Sequence, residues 1–143
     1  MFVVGACSTP GDATPTHVFD PCSPLQLVTS TATDAQLAAI DAATASWAMP
    51  GVGRAATAPE TLAVVFVAAA PAVYGEYADA IYINSDLGSD QAANVIAHEL
   101  GHAFGLVHVP AAQRMSVMNP GNLSVSPTAD DHLAVEAIWG SCP

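Results

Sequence analysis

The stretch His98-Glu99-Leu100-Gly101-His102-Ala103-Phe104-Gly105-Leu106-Val107-His108 constrains this chain more than any other. On a helix, His98 and His102 lie four apart and project from one face, so their imidazoles can hold one metal ion. Three neutral imidazoles suit Zn²⁺ at about 2.0–2.1 Å and leave a fourth position for water. Glu99 stands beside the first ligand, placed to take a proton from that water rather than to bind the metal. A helix continued past His102 would carry His108 away along its axis. Gly105 can adopt φ > 0, end the helix and turn the chain back towards the metal. H-E-x-x-H alone arises by chance on ordinary amphipathic helices; Gly and His at fixed offsets make the extended form far more specific.

The extended motif resembles the signature of the metzincin clan of zinc endopeptidases, H-E-x-x-H-x-x-G-x-x-H followed by a Met-turn. Ser116-Val117-Met118-Asn119-Pro120 is the Met-turn candidate. In that family the methionine lies beneath the zinc-binding histidines as an apolar floor; taken alone, Met118 is an ordinary core methionine. The resemblance covers roughly Pro24 to Gly140, with its strong motifs between His98 and Pro120. It implies one catalytic Zn²⁺ on His98, His102 and His108, Glu99 as general base, and hydrolysis of a peptide or protein substrate. Pro120 stands where astacins and serralysins place a tyrosine ligand, which favours the matrixin-like branch. The loops through which matrixins bind structural calcium and a second zinc have no counterpart here, so those ions are not expected. Two other readings stay open: a zincin scaffold that keeps metal for structure and binds a partner, and an amidase acting on a non-protein amide. Intact Glu99 argues against the scaffold, which has no need of it.

At 143 residues and 52% hydrophobic, the chain has room for one folded domain. Two cationic side chains, Arg54 and Arg114, face thirteen acidic ones, for a formal charge of −11. Without a basic patch, nucleic acid and anionic membrane surfaces are not expected partners. No apolar run reaches the ~20 residues of a membrane helix. A monomer is expected.

The cysteines are Cys7, Cys22 and Cys142, with no C-x-x-C pair to suggest a cysteine metal site. Val4-Gly5-Ala6-Cys7 resembles a bacterial lipobox, although the charged n-region is absent and the apolar stretch is short for a signal peptide. Cys7 is thus either a lipid-anchored residue of an exported, cell-envelope protein or an unpaired thiol. If it carries lipid, Cys22 and Cys142 remain to pair; other pairings stay open.

The expected fold is α+β, zincin-like: a twisted mixed sheet, an active-site helix, a Met-turn and a closing helix. Residues 1–23 are read as an exposed N-terminal segment, and 24–143 as a single catalytic domain. In the N-terminal segment Cys7, Asp12 and Asp20 lack any surrounding latency motif, so a linker is the simpler reading, with His17 solvated. Leu25 to Thr29 reads as a first strand. Thr33 or Asp34 can cap a helix over Ala35 to Ala48, with Trp47 in the core. Gly51-x-Gly53 reads as a loop, and Leu62 to Ala69 as a buried central strand.

Val73-Tyr74-Gly75-Glu76-Tyr77 is either a short edge strand that pairs with an extended substrate or a turn with two surface tyrosines. In the first case the resemblance places Tyr74, Gly75 and Tyr77 against substrate on one rim of the cleft, and Asn119 and Pro120 on the other. Ala80 to Asn84 is the next strand, and Ser89 caps the active-site helix. The closing helix runs from Ala129 to Trp139 with Leu133, Ala134, Ala137 and Ile138 as its apolar stripe. By the resemblance Asp131, or else Asp130, buttresses the Met-turn; either can instead favour the helix N-terminus. His132 is expected at the surface. Asn122-Leu123-Ser124 matches a glycosylation sequon.

Overall fold

The computed structural model describes residues 17–143. Five strands and three helices follow in the order β1 (Leu25–Val28), α1 (Asp34–Trp47), β2 (Val52–Gly53), β3 (Thr61–Val67), β4 (Gly75–Tyr77), β5 (Ile81–Asn84), α2 (Ser89–Ala103) and α3 (Ala129–Trp139). The strands form one sheet in the spatial order β2-β1-β3-β5-β4. Pairings are parallel from β2 through β5, and β4 runs antiparallel to β5 at the edge. The fold is therefore α+β with a mixed sheet, and Leu62 to Val67 occupies its centre as its Val- and Phe-rich sequence requires. Cys7, the lipobox candidate, and Asp12 lie outside the described residues.

Helix α1 begins at a capping box. Thr33 Oγ1 accepts from Gln36 N, and Gln36 Oε1 accepts from Thr33 N. Its inward face carries Ala39, Ile40, Ala43 and Trp47. Trp47 is a junction: its indole N–H donates to Ala97 O at 2.9 Å, and its ring meets Phe104 edge-on at 5.6 Å. This ties α1 to the side of α2, and together they cover the sheet residues Leu25, Leu27, Leu62, Val64, Ile81 and Ile83.

Several expectations are corrected. Gly51-x-Gly53 is not wholly loop: Val52 and Gly53 pair parallel with Leu25 and Gln26, because a two-residue strand leaves too short a pattern to read. Ser89 does not cap α2; Gly88 holds the cap position and no side chain bonds there. The lead-in is not fully exposed either. Phe19 and Pro21 are buried, and Phe19 N–H donates to Ala103 O at 2.8 Å. In α3 the inward face is shifted from the apolar stripe. Leu133 and Ile138 are exposed, while Asp131 and Val135 are buried, because the Asp131 carboxylate is drawn inward by hydrogen bonds. His132 follows it: its ring nitrogens stand 3.1 Å from Thr128 O and 3.0 Å from Trp47 O. The Asn122 side chain is buried too, donating to Val125 O at 2.7 Å and Val117 O at 3.2 Å. Cys22 and Cys142 form a disulfide, joining the turn before β1 to the segment after α3.

Candidate metal centre

Helix α2 presents His98 and His102 one turn apart, both buried, with ring centroids 4.9 Å apart. The helix stops where the motif requires. Gly105 lies at φ 99°, Gly105 N–H donates to His102 O, and Leu106 N–H reaches back to Gly101 O at 2.9 Å. That pair of bonds is a Schellman ending, with glycine in the left-handed position that a Cβ would strain. The reversed chain brings His108 Nε2 within 3.3 Å of both His98 Nε2 and His102 Nε2.

The other ring nitrogens fix the tautomers. His98 Nδ1 stands 2.6 Å from Val117 O, and His102 Nδ1 stands 2.8 Å from Leu106 O. A carbonyl only accepts, so each Nδ1 carries the proton and each Nε2 keeps its lone pair. Both lone pairs face His108 Nε2; with a lone pair there too, the three would repel unless a cation lay between them. Three nitrogens about 2.0–2.1 Å from one tetrahedral ion stand about 3.3–3.4 Å from each other, which matches the contacts to His108. The three histidines are thus a buried group able to hold a metal ion. Burial first, and then the adjacent imidazoles, push His98 down to about 3, which keeps it neutral and ready to ligate.

Glu99 is fully buried beside them. Its place depends on Gly75 in β4. A Cβ there would stand 2.7 Å from Val95 Cγ1 and 3.1 Å from Glu99 Oε1, so only glycine lets the strand pass this close to the carboxylate. The edge-strand alternative for Val73–Tyr77 is the one observed, over Gly75–Tyr77. Tyr74 lies at the rim: with Val95, His98, Glu99, Gly121 and Asn122 it lines a crevice of about 160 Å³. A larger groove, about 1040 Å³ by the same measure, lies between α1, the start of α2 and Leu123 to Ser126 and contains none of the motif residues. Size does not mark this site; chemistry does.

Met118 is fully buried under α2. Gly101 makes room for it, since a Cβ there would lie only 2.3 Å from Met118 Sδ. Of the remaining residues expected at the cleft, Tyr77 has its hydroxyl engaged, donating to His17 O at 2.6 Å. Asn119 is engaged within its own loop, donating to Val109 O and Arg114 O and accepting from Ser116 N–H. Pro120 is half-buried beside it.

Sequence reasoning did not single out Ser116 or Arg114. Both converge on Asp131, the buried aspartate of α3. Its Oδ1 accepts from Ser116 Oγ at 2.5 Å and Arg114 Nη1 at 2.8 Å; its Oδ2 accepts from Val117 N at 2.8 Å and Thr128 N at 3.0 Å. Burial would raise this carboxyl, but the hydrogen bonds from Ser116, Thr128, Val117 and Arg114 outweigh it and hold it below the ordinary carboxylate value. Asp130, the alternative, is exposed. The signal for this cluster was an acidic pair after Thr128, which local helix capping explains equally well.

No protein-family model matches the chain, and no curated protein matches it.

Proposed function

We propose that this chain is a zinc-dependent endopeptidase of zincin type. The observation that carries the reading is the convergence of three buried imidazoles, two of them with tautomers fixed by backbone carbonyls, beside a buried carboxylate that glycine at position 75 allows to lie there. Three nitrogens with no thiolate suit zinc, and three protein ligands rather than four are the pattern of catalytic sites. Bound zinc would supply a Lewis acid and a water acidic enough to react near neutral pH.

The protein's own residues then divide the work. His98, His102 and His108 hold the ion; Val117 O and Leu106 O orient two of the rings. Glu99 takes a proton from the attacking water and returns it to the leaving amine, a role that suits a buried carboxylate beside the ligands. Edge strand β4, unpaired along its outer side among the described strands, offers backbone groups to an extended peptide. The Cys22–Cys142 disulfide supports an exported location, since such bonds persist in oxidising compartments.

The test is digestion of a mixed peptide library by the purified protein, with and without a zinc chelator, alongside Glu99→Ala. Cleavage that disappears with chelator and in Glu99→Ala, while that variant still binds zinc, is the expected result. Normal cleavage by Glu99→Ala would sink the assignment. Zinc binding with no cleavage by the native protein would favour the non-catalytic binding module.

A further inference from the structure

The Nδ1–H groups of His98 and His102 both meet backbone carbonyls, but the two carbonyls differ in what lies behind them. Leu106 O belongs to the peptide that continues to Val107. Val117 O belongs to the Val117–Met118 peptide, whose N–H donates to Ser116 Oγ at 2.9 Å. Ser116 Oγ in turn donates to Asp131 Oδ1 at 2.5 Å. The result is an unbroken chain of hydrogen bonds: Asp131 carboxylate, Ser116 hydroxyl, Met118 N–H, Val117 carbonyl, His98 Nδ1–H. Ser116, Val117, Met118 and Asp131 are all fully buried, and His98 is nearly so.

Each link polarises the next in one direction. A carboxylate pulls the Ser116 proton, which enriches Oγ as an acceptor; Oγ pulls the Met118 N–H, which places more negative charge on Val117 O. That carbonyl then draws the His98 Nδ1 proton harder, and the imidazole becomes a stronger donor at Nε2. The 2.6 Å contact at His98, against 2.8 Å at His102, follows the same order. Asn122 Nδ2 also donates to Val117 O, at 3.2 Å, and as a second, longer and neutral donor on that oxygen it opposes the pull only weakly. Asp131 separately holds Val117 N–H, so the turn stays anchored even without the serine.

We infer that Ser116 is a positioning residue that links the buried charge of Asp131 to His98 and strengthens it as a metal ligand. The inference rests on the metal site proposed above, but not on peptidase activity.

The test compares Zn²⁺ affinity in the native protein, Ser116→Ala and Asn119→Ala, using a competing chelator, with the absorption spectrum of the Co²⁺-loaded forms and the Nδ1–H signals of ¹⁵N-labelled histidine. Ser116→Ala breaks the chain at one atom and keeps the volume. Asn119→Ala loosens the same loop by removing its bond to Ser116 N–H, and leaves every link of the chain in place. Ser116→Ala is expected to bind Zn²⁺ about 10-fold more weakly, to shift the Co²⁺ bands and to move the His98 Nδ1–H signal upfield towards that of His102. Asn119→Ala is expected to stay close to the native protein in all three. In the native protein, before any substitution, His98 Nδ1–H should lie downfield of His102. Equal affinity in Ser116→Ala, equal loss in Asn119→Ala, or coincident native Nδ1–H signals would each overturn the inference. Native protein that fails to bind Zn²⁺ would overturn both this inference and the metal reading; zinc binding without cleavage would overturn only the peptidase.

Discussion

Gly75 shows how a single missing atom sets a carboxylate. A Cβ at this position meets Val95 and Glu99 closer than packing allows, so Gly75→Ala must push the strand or the carboxylate aside. Overpacking of this kind costs about 1–3 kcal/mol, and a misplacement of about 1 Å at a reacting group costs about 100-fold in turnover. Gly75→Ala is therefore expected to retain zinc by elemental analysis and lose about 100-fold in peptide turnover; unchanged turnover would separate Glu99 from the chemistry. The histidine cluster was legible in the sequence because helical spacing puts His98 and His102 on one face and Gly105 can turn the chain back with His108. Gly75 was named only as an edge-strand residue facing substrate. Its real role depends on contacts with Val95 and Glu99, about twenty residues further along, and a period-2 pattern carries no such information.

At the scale of elements, the site is a helix end and the turn behind it. Gly105 at φ 99° meets only ordinary contacts at its would-be Cβ, the nearest being Ile138 Cδ1 at 3.5 Å, so the cost of Gly105→Ala is conformational rather than steric. About 1–3 kcal/mol of lost stability is expected, read as a lower denaturation midpoint. Weaker metal binding should accompany it, since His108 arrives through this turn; native zinc affinity would show that the turn does not position the ligand. The N-terminus of α3 makes a second prediction. The folded Asp131 carboxyl releases its proton at lower pH than the 3.8 of an unperturbed aspartate. Between those two values the unfolded chain binds more protons, so stability supplied by the carboxylate is present above 3.8 and lost as the pH falls through the folded value. Urea midpoints of the native protein should fall more steeply below pH 3.8 than those of Asp131→Asn; parallel slopes would refute the assignment. Element types and order were readable from periodicity, and α3 was placed to the residue. Its inward face was not, because four hydrogen bonds to Asp131 outweigh the burial of Leu133 and Ile138, and hydropathy cannot count hydrogen bonds.

Over the whole molecule, one covalent bond spans nearly everything described. Cys22 and Cys142 are 120 positions apart in sequence and 5.0 Å apart at Cα. Closing so long a loop restricts the unfolded chain more than the folded one, an effect of about 2–5 kcal/mol. Reduction, or a Cys22→Ser/Cys142→Ser double variant, should lower the urea midpoint by a corresponding amount; an unchanged midpoint would mean the unfolded chain is already compact there. The pairing was legible only as what remained if Cys7 were otherwise engaged. The mixed sheet was readable as far as strands existed, but β2 was not, since two residues make no pattern.

That same bond governs how the molecule answers to mechanical force. Tension applied from outside Cys22 and Cys142 first loads the Phe19–Ala103 contact; once that lets go it passes through the sulfur–sulfur bond and bypasses the sheet, the helices and the histidine cluster between them. In the oxidised state residues 22 to 142 are a closed ring hung from a single covalent point, so further stretching leaves the histidine cluster unloaded. Only after reduction does the same pull reach β1 and α3 and strip the floor from beneath the histidines.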